Sequence, residues 1–134
     1  MAKLRANYNC SLELAMDIVG GKWKMVILWH LRNGVLRFGE LRKLLCGITQ
    51  KMLTQQLREL EELNLIVRKV YPVVPPKVEY SLAEQGTLIV PVLAHLCQWS
   101  SNYAQGCDIT IALGKTNCCL GEITNNQASC NNVG

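Results

Sequence analysis

No stretch of about 18 consecutive apolar residues occurs in the 134-residue sequence, which excludes a membrane-spanning helix. The first 20 residues carry Asn7, Glu13 and Asp17 and no continuous apolar block, so no secretory leader is expected. Charge is scarce, at 18% of residues against 49% apolar, a globular balance and not a disordered one. No Gly-rich phosphate loop, Ser-His-Asp set or pair of placed carboxylates is present, so no enzyme and no cofactor are expected. The chain is too short for an eight-fold α/β barrel of about 250 residues and suits one domain. It contains no internal repeat.

The cysteines are seven, an odd count that argues against an extracellular disulfide framework and for thiols in the cytoplasm. Cys107, Cys118-Cys119 and Cys130 are separated by gaps of eleven, which is not zinc-ligand spacing, so no metal site is expected. His30 and His95 lie in apolar helical stretches and read as core or interface residues. Charge is unevenly placed. Of 14 Lys and Arg, 13 fall in residues 1–77 with six of the ten acids, an excess of seven positive charges there. Such a segment suits a polyanionic partner.

Along the chain, Cys10, Leu14 and Ile18 are spaced four apart, predicting a helix over 10–19 capped by Asn9 and ended by Gly20-Gly21. Residues 22–32 are apolar nearly all round and read as a central buried helix. Leu36-Arg37-Phe38 is short and extended. A helix over Glu40 to Leu45 turns Phe38, Leu41, Leu44 and Leu45 inward. Cys46-Gly47-Ile48 breaks the chain. Thr49 then caps a helix over Gln50 to Leu63, with Met52, Leu53, Leu57, Leu60 and Leu63 buried. Asn64 suits its C-terminal end. Strands are predicted over Leu65 to Tyr71 and Lys77 to Leu82, joined by a proline-rich tip that cannot continue a ladder. Glu84 to Tyr103 forms a long helix bent at Pro91. Leu88, Val92, Leu96, Trp99 and Tyr103 make one stripe of it. Residues 108–113 read as a short strand.

Helix, Gly turn, capped helix and hairpin together make a winged helix-turn-helix. The fold class is α+β, mainly α, with a C-terminal dimerisation helix. Residues 8–103 form the DNA-binding domain and 104–134 a Cys- and Asn-rich tail. The second helix of the motif can enter the major groove of double-stranded DNA. Thr49, Gln50, Thr54 and Gln55 can bond base edges, and Lys51 and Arg58 can reach bases or phosphates. Arg37, Arg42 and Lys43 precede that helix and suit phosphate positioning. On the hairpin, Lys77, with Arg68 and Lys69 as alternates, can touch the backbone. A winged-helix protein-interaction module without DNA binding is the alternative. It would be expected to lack the outward Lys51, Gln55 and Arg58.

Three segments resemble the HxlR family of winged-helix transcriptional regulators. They are Cys10…Gly21-Lys22-Trp23…Arg37-Phe38-Gly39-Glu40-Leu41, Ile48 to Glu61, and Tyr71-Pro72…Pro75-Pro76-Lys77-Val78-Glu79-Tyr80-Ser81-Leu82. The resemblance covers residues 8–100. It implies a homodimeric repressor on a palindromic operator, with the first and last helices building the dimer through Leu14, Ile18, Leu88, Val92, Leu96, Trp99 and Tyr103. Two-fold symmetry would set the two recognition helices about 34–36 Å apart. Ala83 stands where the family has a Thr cap, and Asn64 where it has Gly. Cys10 matches a cysteine through which some members sense quinones, aldehydes or oxidants. The resemblance therefore implies an electrophile or redox switch, with Cys46 of a second copy as the candidate partner. Lys3 and Arg5 would help lower the Cys10 pKa.

Overall fold

The computed structural model describes residues 3–107 and 109–111. Elements follow in the order α1 (Ser11–Val19), α2 (Lys24–Leu31), β1 (Leu36–Arg37), α3 (Phe38–Leu44), α4 (Gln50–Glu62), β2 (Ile66–Tyr71), β3 (Lys77–Leu82) and α5 (Glu84–Gly106). The strands form one antiparallel sheet in the order β1-β3-β2. This is the α+β, mainly α, winged-helix arrangement, and the short extended segment at Leu36 becomes its third strand.

The core comes from α2, α3 and α4. Ile27, Leu28, Leu31, Leu41, Leu45, Leu53, Leu57 and Leu60 are all fully buried. Each such side chain contributes about 1.5–3 kcal/mol through burial. The helix α2 is buried on most sides, as its apolar circumference predicts. In α3, Leu41 is buried and Phe38 and Leu44 are half-buried, and Leu45, which caps its C-terminal end, is buried. It begins at Phe38 and not Glu40, because the Glu40 carboxylate accepts the Arg37 backbone N–H at 2.9 Å and so caps an earlier start.

Two local expectations are corrected. Cys10, not Asn9, caps α1, its sulfur accepting the Leu12 N–H at 3.3 Å. Met52 is exposed, since the inward stripe of α4 is Leu53, Leu57 and Leu60 and Met52 lies to its side. Asn64 takes the left-handed conformation, φ 61°. Its N–H reaches the Glu61 carbonyl and that of Leu65 reaches Leu60, both at 3.0 Å, which closes the helix end as a Schellman motif.

The strand β2 is an edge strand. It starts at Ile66, one residue later than expected, and does not show alternating burial: only Ile66 is buried. The long helix α5 runs through Pro91 and ends at Gly106, three residues past Tyr103. A division into two compact units falls inside it, between Leu88 and Ile89. The predicted strand over 108–113 is not formed at 109–111, and its remaining residues lie outside the described ones. Cys118, Cys119 and Cys130 also lie outside them.

Candidate nucleic-acid interface

The turn between α3 and α4 is set by Gly47, whose φ of 90° is open to glycine at no steric cost. Thr49 follows as the N-cap of α4, its Oγ1 accepting the Met52 N–H at 3.1 Å. The inward leucines then fix which side of α4 faces out. Gln50, Lys51, Gln55 and Arg58 are exposed on that side. Thr54 is half-buried, and its hydroxyl donates to the Gln50 carbonyl at 2.8 Å. Its donor is therefore committed, leaving lone pairs and a methyl for a base edge. Thr49 likewise spends its oxygen on the cap.

Lys24 in the first turn of α2 reaches Glu59 on α4, Nζ to Oε1 3.4 Å. Glu59 is thus held inward, whereas Glu61 and Glu62 are exposed. Arg42 and Lys43 stand exposed on the last turn of α3, close in sequence to the α4 N-terminus.

The sheet separates the wing cations onto two faces. Arg68 pairs with Tyr80, Lys69 with Glu79 and Tyr71 with Lys77 across β2 and β3, while Arg37 of β1 pairs with Glu79. Directly paired residues share a face and alternate ones reverse it. Arg68 and the buried Tyr80 therefore lie on one face with Ile66. Arg37, Lys69, Tyr71, Lys77 and Glu79 lie on the other. On that second face Lys77 Nζ is 3.1 Å from the Glu79 carboxylate and 5.0 Å from the Tyr71 ring, with Lys69 Nζ 4.9 Å from the same ring. Hydrogen bonds from Lys77 and then Tyr71, with the Lys77 and Arg37 charges, hold the Glu79 carboxyl below its ordinary range. Lys77 is therefore not brought together with the reading face of α4. Arg68 is: a crease of about 340 Å³ runs between α4 and the wing, lined by Thr54, Leu57, Arg58, Glu61, Arg68 and Tyr80.

At the other end of the same part of the chain, the N-terminal arm folds onto α1. Arg5 lies 3.8 Å from Glu13 and 3.6 Å from Asp17, and the Tyr8 hydroxyl donates to Asp17 at 2.7 Å. The Cys10 thiol is exposed, and its pKa is lowered by hydrogen bonds from the Glu13 and Leu12 backbone N–H groups. The helix start lowers it, not Lys3 or Arg5. Cys46 is exposed in the turn before α4. Leu14 and Ile18 are half-buried, and the apolar side chains that α1 exposes are Leu12 and Met16. On α5, Leu88, Val92, Leu96, Trp99 and Tyr103 are all exposed.

A family model described as an HxlR-like helix-turn-helix matches residues 18–108. The chain belongs to the HxlR family. Among the relatives of this HxlR protein is an uncharacterised HTH-type transcriptional regulator of Bacillus subtilis, YdeP, 52% identical over 100 residues covering 75% of this chain and 78% of that one. The solved structure of the redox regulator HypR in its reduced form superposes with a TM-score of 0.71 at 41% identity, covering 74% of this chain and 98% of that one. Reduced YodB from B. subtilis gives 0.64 at 32% identity, covering 75% and 98%. The HxlR chain is accordingly a DNA-binding transcriptional regulator, and α4 is the second helix of its helix-turn-helix. Arg68, only an alternate in the sequence reading, is the residue whose position needed the strand register to find.

Proposed function

We propose that this HxlR regulator is a homodimeric repressor, acting in the cytoplasm, that reads a palindromic operator with α4 and releases it when Cys10 is oxidised or alkylated. Residues 8–103 carry the activity, and it is not an enzyme. Gln50, Lys51, Thr54 and Gln55 read base edges, with Thr49 placing them. Arg37, Arg42 and Lys43 hold phosphates. The observation that carries the switch is the placing of Cys10: exposed, at a helix start, with its pKa held down by two backbone N–H groups. Lowering the pKa raises the thiolate fraction, and the thiolate is the reacting form. A hollow of about 360 Å³ beside it, lined by Arg5, Leu12, Glu13, Met16 and Asp17, gives a small electrophile room to approach. That HypR is described as a redox regulator in reduced and oxidised forms supports the reading.

Oxidation by diamide would join Cys10 of one copy to Cys46 of the other. Each thiol loses a proton and an electron, and diamide gains both pairs to become the hydrazine. The test is a gel shift on DNA from upstream of the protein's own gene, with reduced and diamide-treated protein, beside a non-reducing gel. Binding only when reduced, with a cross-linked dimer on oxidation, is expected. Cys10→Ser should bind in both conditions. Loss of binding by oxidised Cys10→Ser would remove Cys10 from the mechanism.

A further inference from the structure

We propose that the crease between α4 and the wing is a phosphate seat, in which Arg68 of β2 and Arg58 of α4 together hold one backbone phosphate of duplex DNA. This rests on the DNA-binding reading and adds to it a contact outside the helix-turn-helix. Three observations lead there. First, the register places Arg68 opposite Tyr80, on the sheet face that carries the buried Ile66, so its stem leaves the sheet toward α4. Second, Arg58 enters the same crease from α4, one turn after Thr54, and Glu61 is the acid beside them. Two guanidiniums against one carboxylate leave the crease positive. Third, among the described residues neither Arg58 nor Arg68 forms an ion pair, whereas Lys77 on the opposite face is bound to Glu79 and Lys69 lies against Tyr71. The wing's opposite-face cations are thus engaged, and the one directed at α4 is available.

The chemistry fits a phosphate. A guanidinium is a planar fork that matches two phosphate oxygens, and two forks converging from different elements fix the phosphate in place. Leu57 and Tyr80 complete the lining, and the Thr54 side chain lies in the crease beside the two arginines. Because Arg58 stands on the reading helix and Arg68 on the wing, a phosphate held by both sets the depth of α4 in the groove. Phosphate contacts of this kind fix register without reading sequence.

The test is operator affinity as a function of salt for the full chain and for Arg68→Gln, which alters an exposed side chain and leaves the core intact. The slope of log affinity against log salt should fall by about 0.9 for each phosphate lost, once per protomer. The loss should be equal across operators carrying single base-pair changes. Arg68→Lys should keep most of the slope while losing affinity, since the charge stays and the fork goes. Glu61→Gln should bind more tightly. An unchanged slope in Arg68→Gln, with a steep slope in the parent protein, overturns the phosphate seat and leaves DNA binding intact. A loss confined to one base pair also overturns it, because Arg68 would then be reading a base. A flat slope in the parent protein overturns the DNA-binding reading itself.

Discussion

Lys24 Nζ and Glu59 Oε1 are 3.4 Å apart, with side chains only 11% and 13% exposed, and this pair is an ion bridge from α2 to the reading helix. Charges so far out of water interact strongly, but leaving one of them alone is expensive. Glu59→Gln or Lys24→Met should therefore cost about 3 kcal/mol. Replacing both, as Lys24→Met with Glu59→Leu, should return most of that loss. Urea unfolding of the three variants measures it. Equal, additive losses would show that the two side chains do not interact.

Gly86 and the Leu65 carbonyl approach so closely that a Cβ on Gly86 would lie 2.1 Å from that oxygen. Nearby, the Ala83 N–H donates to the same carbonyl at 3.0 Å, so the start of α5 is fastened to the residue before β2. Gly86→Ala should force the two apart and destabilise the fold by about 1–3 kcal/mol. Gly39 in α3 is the contrast, with nothing within 4 Å of its added Cβ. Gly39→Ala should stabilise by about 0.5–1 kcal/mol, the helix preference of Ala over Gly. Thermal melts of both variants give the two signs. Matching signs would refute the packing account.

Why some of this was legible in the sequence and some was not follows from the range of each interaction. The α4 cap at Thr49, its inward leucines and the turn at Gly47 depend on near neighbours, and residue spacing reveals them. Asn64 is readable for the same reason. Cys10 as a cap is local too, but Asn9 beside it is the stronger capping residue by preference, and the choice depends on where the arm docks. Met52 misleads because an apolar residue at the edge of a helical stripe can fall on either side. The wing is the least legible part. Lys77, Lys69 and Arg68 look alike as cations near a hairpin tip. Only the pairing of Arg68 with Tyr80, and of Lys69 with Glu79, decides which face each occupies. Register is a non-local property, and an edge strand whose burial does not alternate carries little record of it.

Thr49 Oγ1 is the acceptor for the Met52 N–H, so the first turn of α4 depends on one hydroxyl. Thr49→Ala should lower stability by about 1 kcal/mol. It should weaken operator binding as well, because Gln50 and Lys51 stand in the turn that frays. Thr49→Asp restores the acceptor and should recover stability, but it adds a negative charge facing DNA and should bind worse than Thr49→Ser. Melting and gel shift together separate the two effects. Operator affinity unchanged in Thr49→Ala would remove the first turn from the interface.

His30 in α2 is buried, and burial, with the Arg32 charge adding to it, holds its pKa below the ordinary 6.5. The sign follows directly. Well above pH 6.5 both folded and unfolded chains carry neutral His30, and stability is complete. As the pH falls below that value the unfolded chain takes a proton that the folded one refuses, so stability drops. His30→Gln should flatten the decline of melting temperature between pH 6.5 and about 5, a range in which most carboxylates stay ionised. A decline of the same steepness in the variant would assign it to other groups.

The exposed stripe of α5 is the surface on which the proposed dimer stands or falls. Leu88, Val92, Leu96, Trp99 and Tyr103 are 62%, 60%, 43%, 63% and 59% exposed, and their spacing of three or four residues places them along one side of the helix. A row of five large apolar side chains in water is what a partner copy would cover. The Trp99 and Tyr103 ring centroids are 5.7 Å apart with their planes tilted by 35°, which leaves an aromatic patch near the end of the row. Trp99→Glu removes no core contact of comparable burial, so the monomer should fold with its melting cooperativity intact. It should weaken self-association by about 2 kcal/mol or more, as loss of an aromatic anchor does, and sedimentation at micromolar concentration should then report a monomer. Operator affinity should fall with it, because each half-site would be bound singly. Val92→Glu tests the N-terminal half of the row. If both variants sediment as dimers, the α5 face is not the interface.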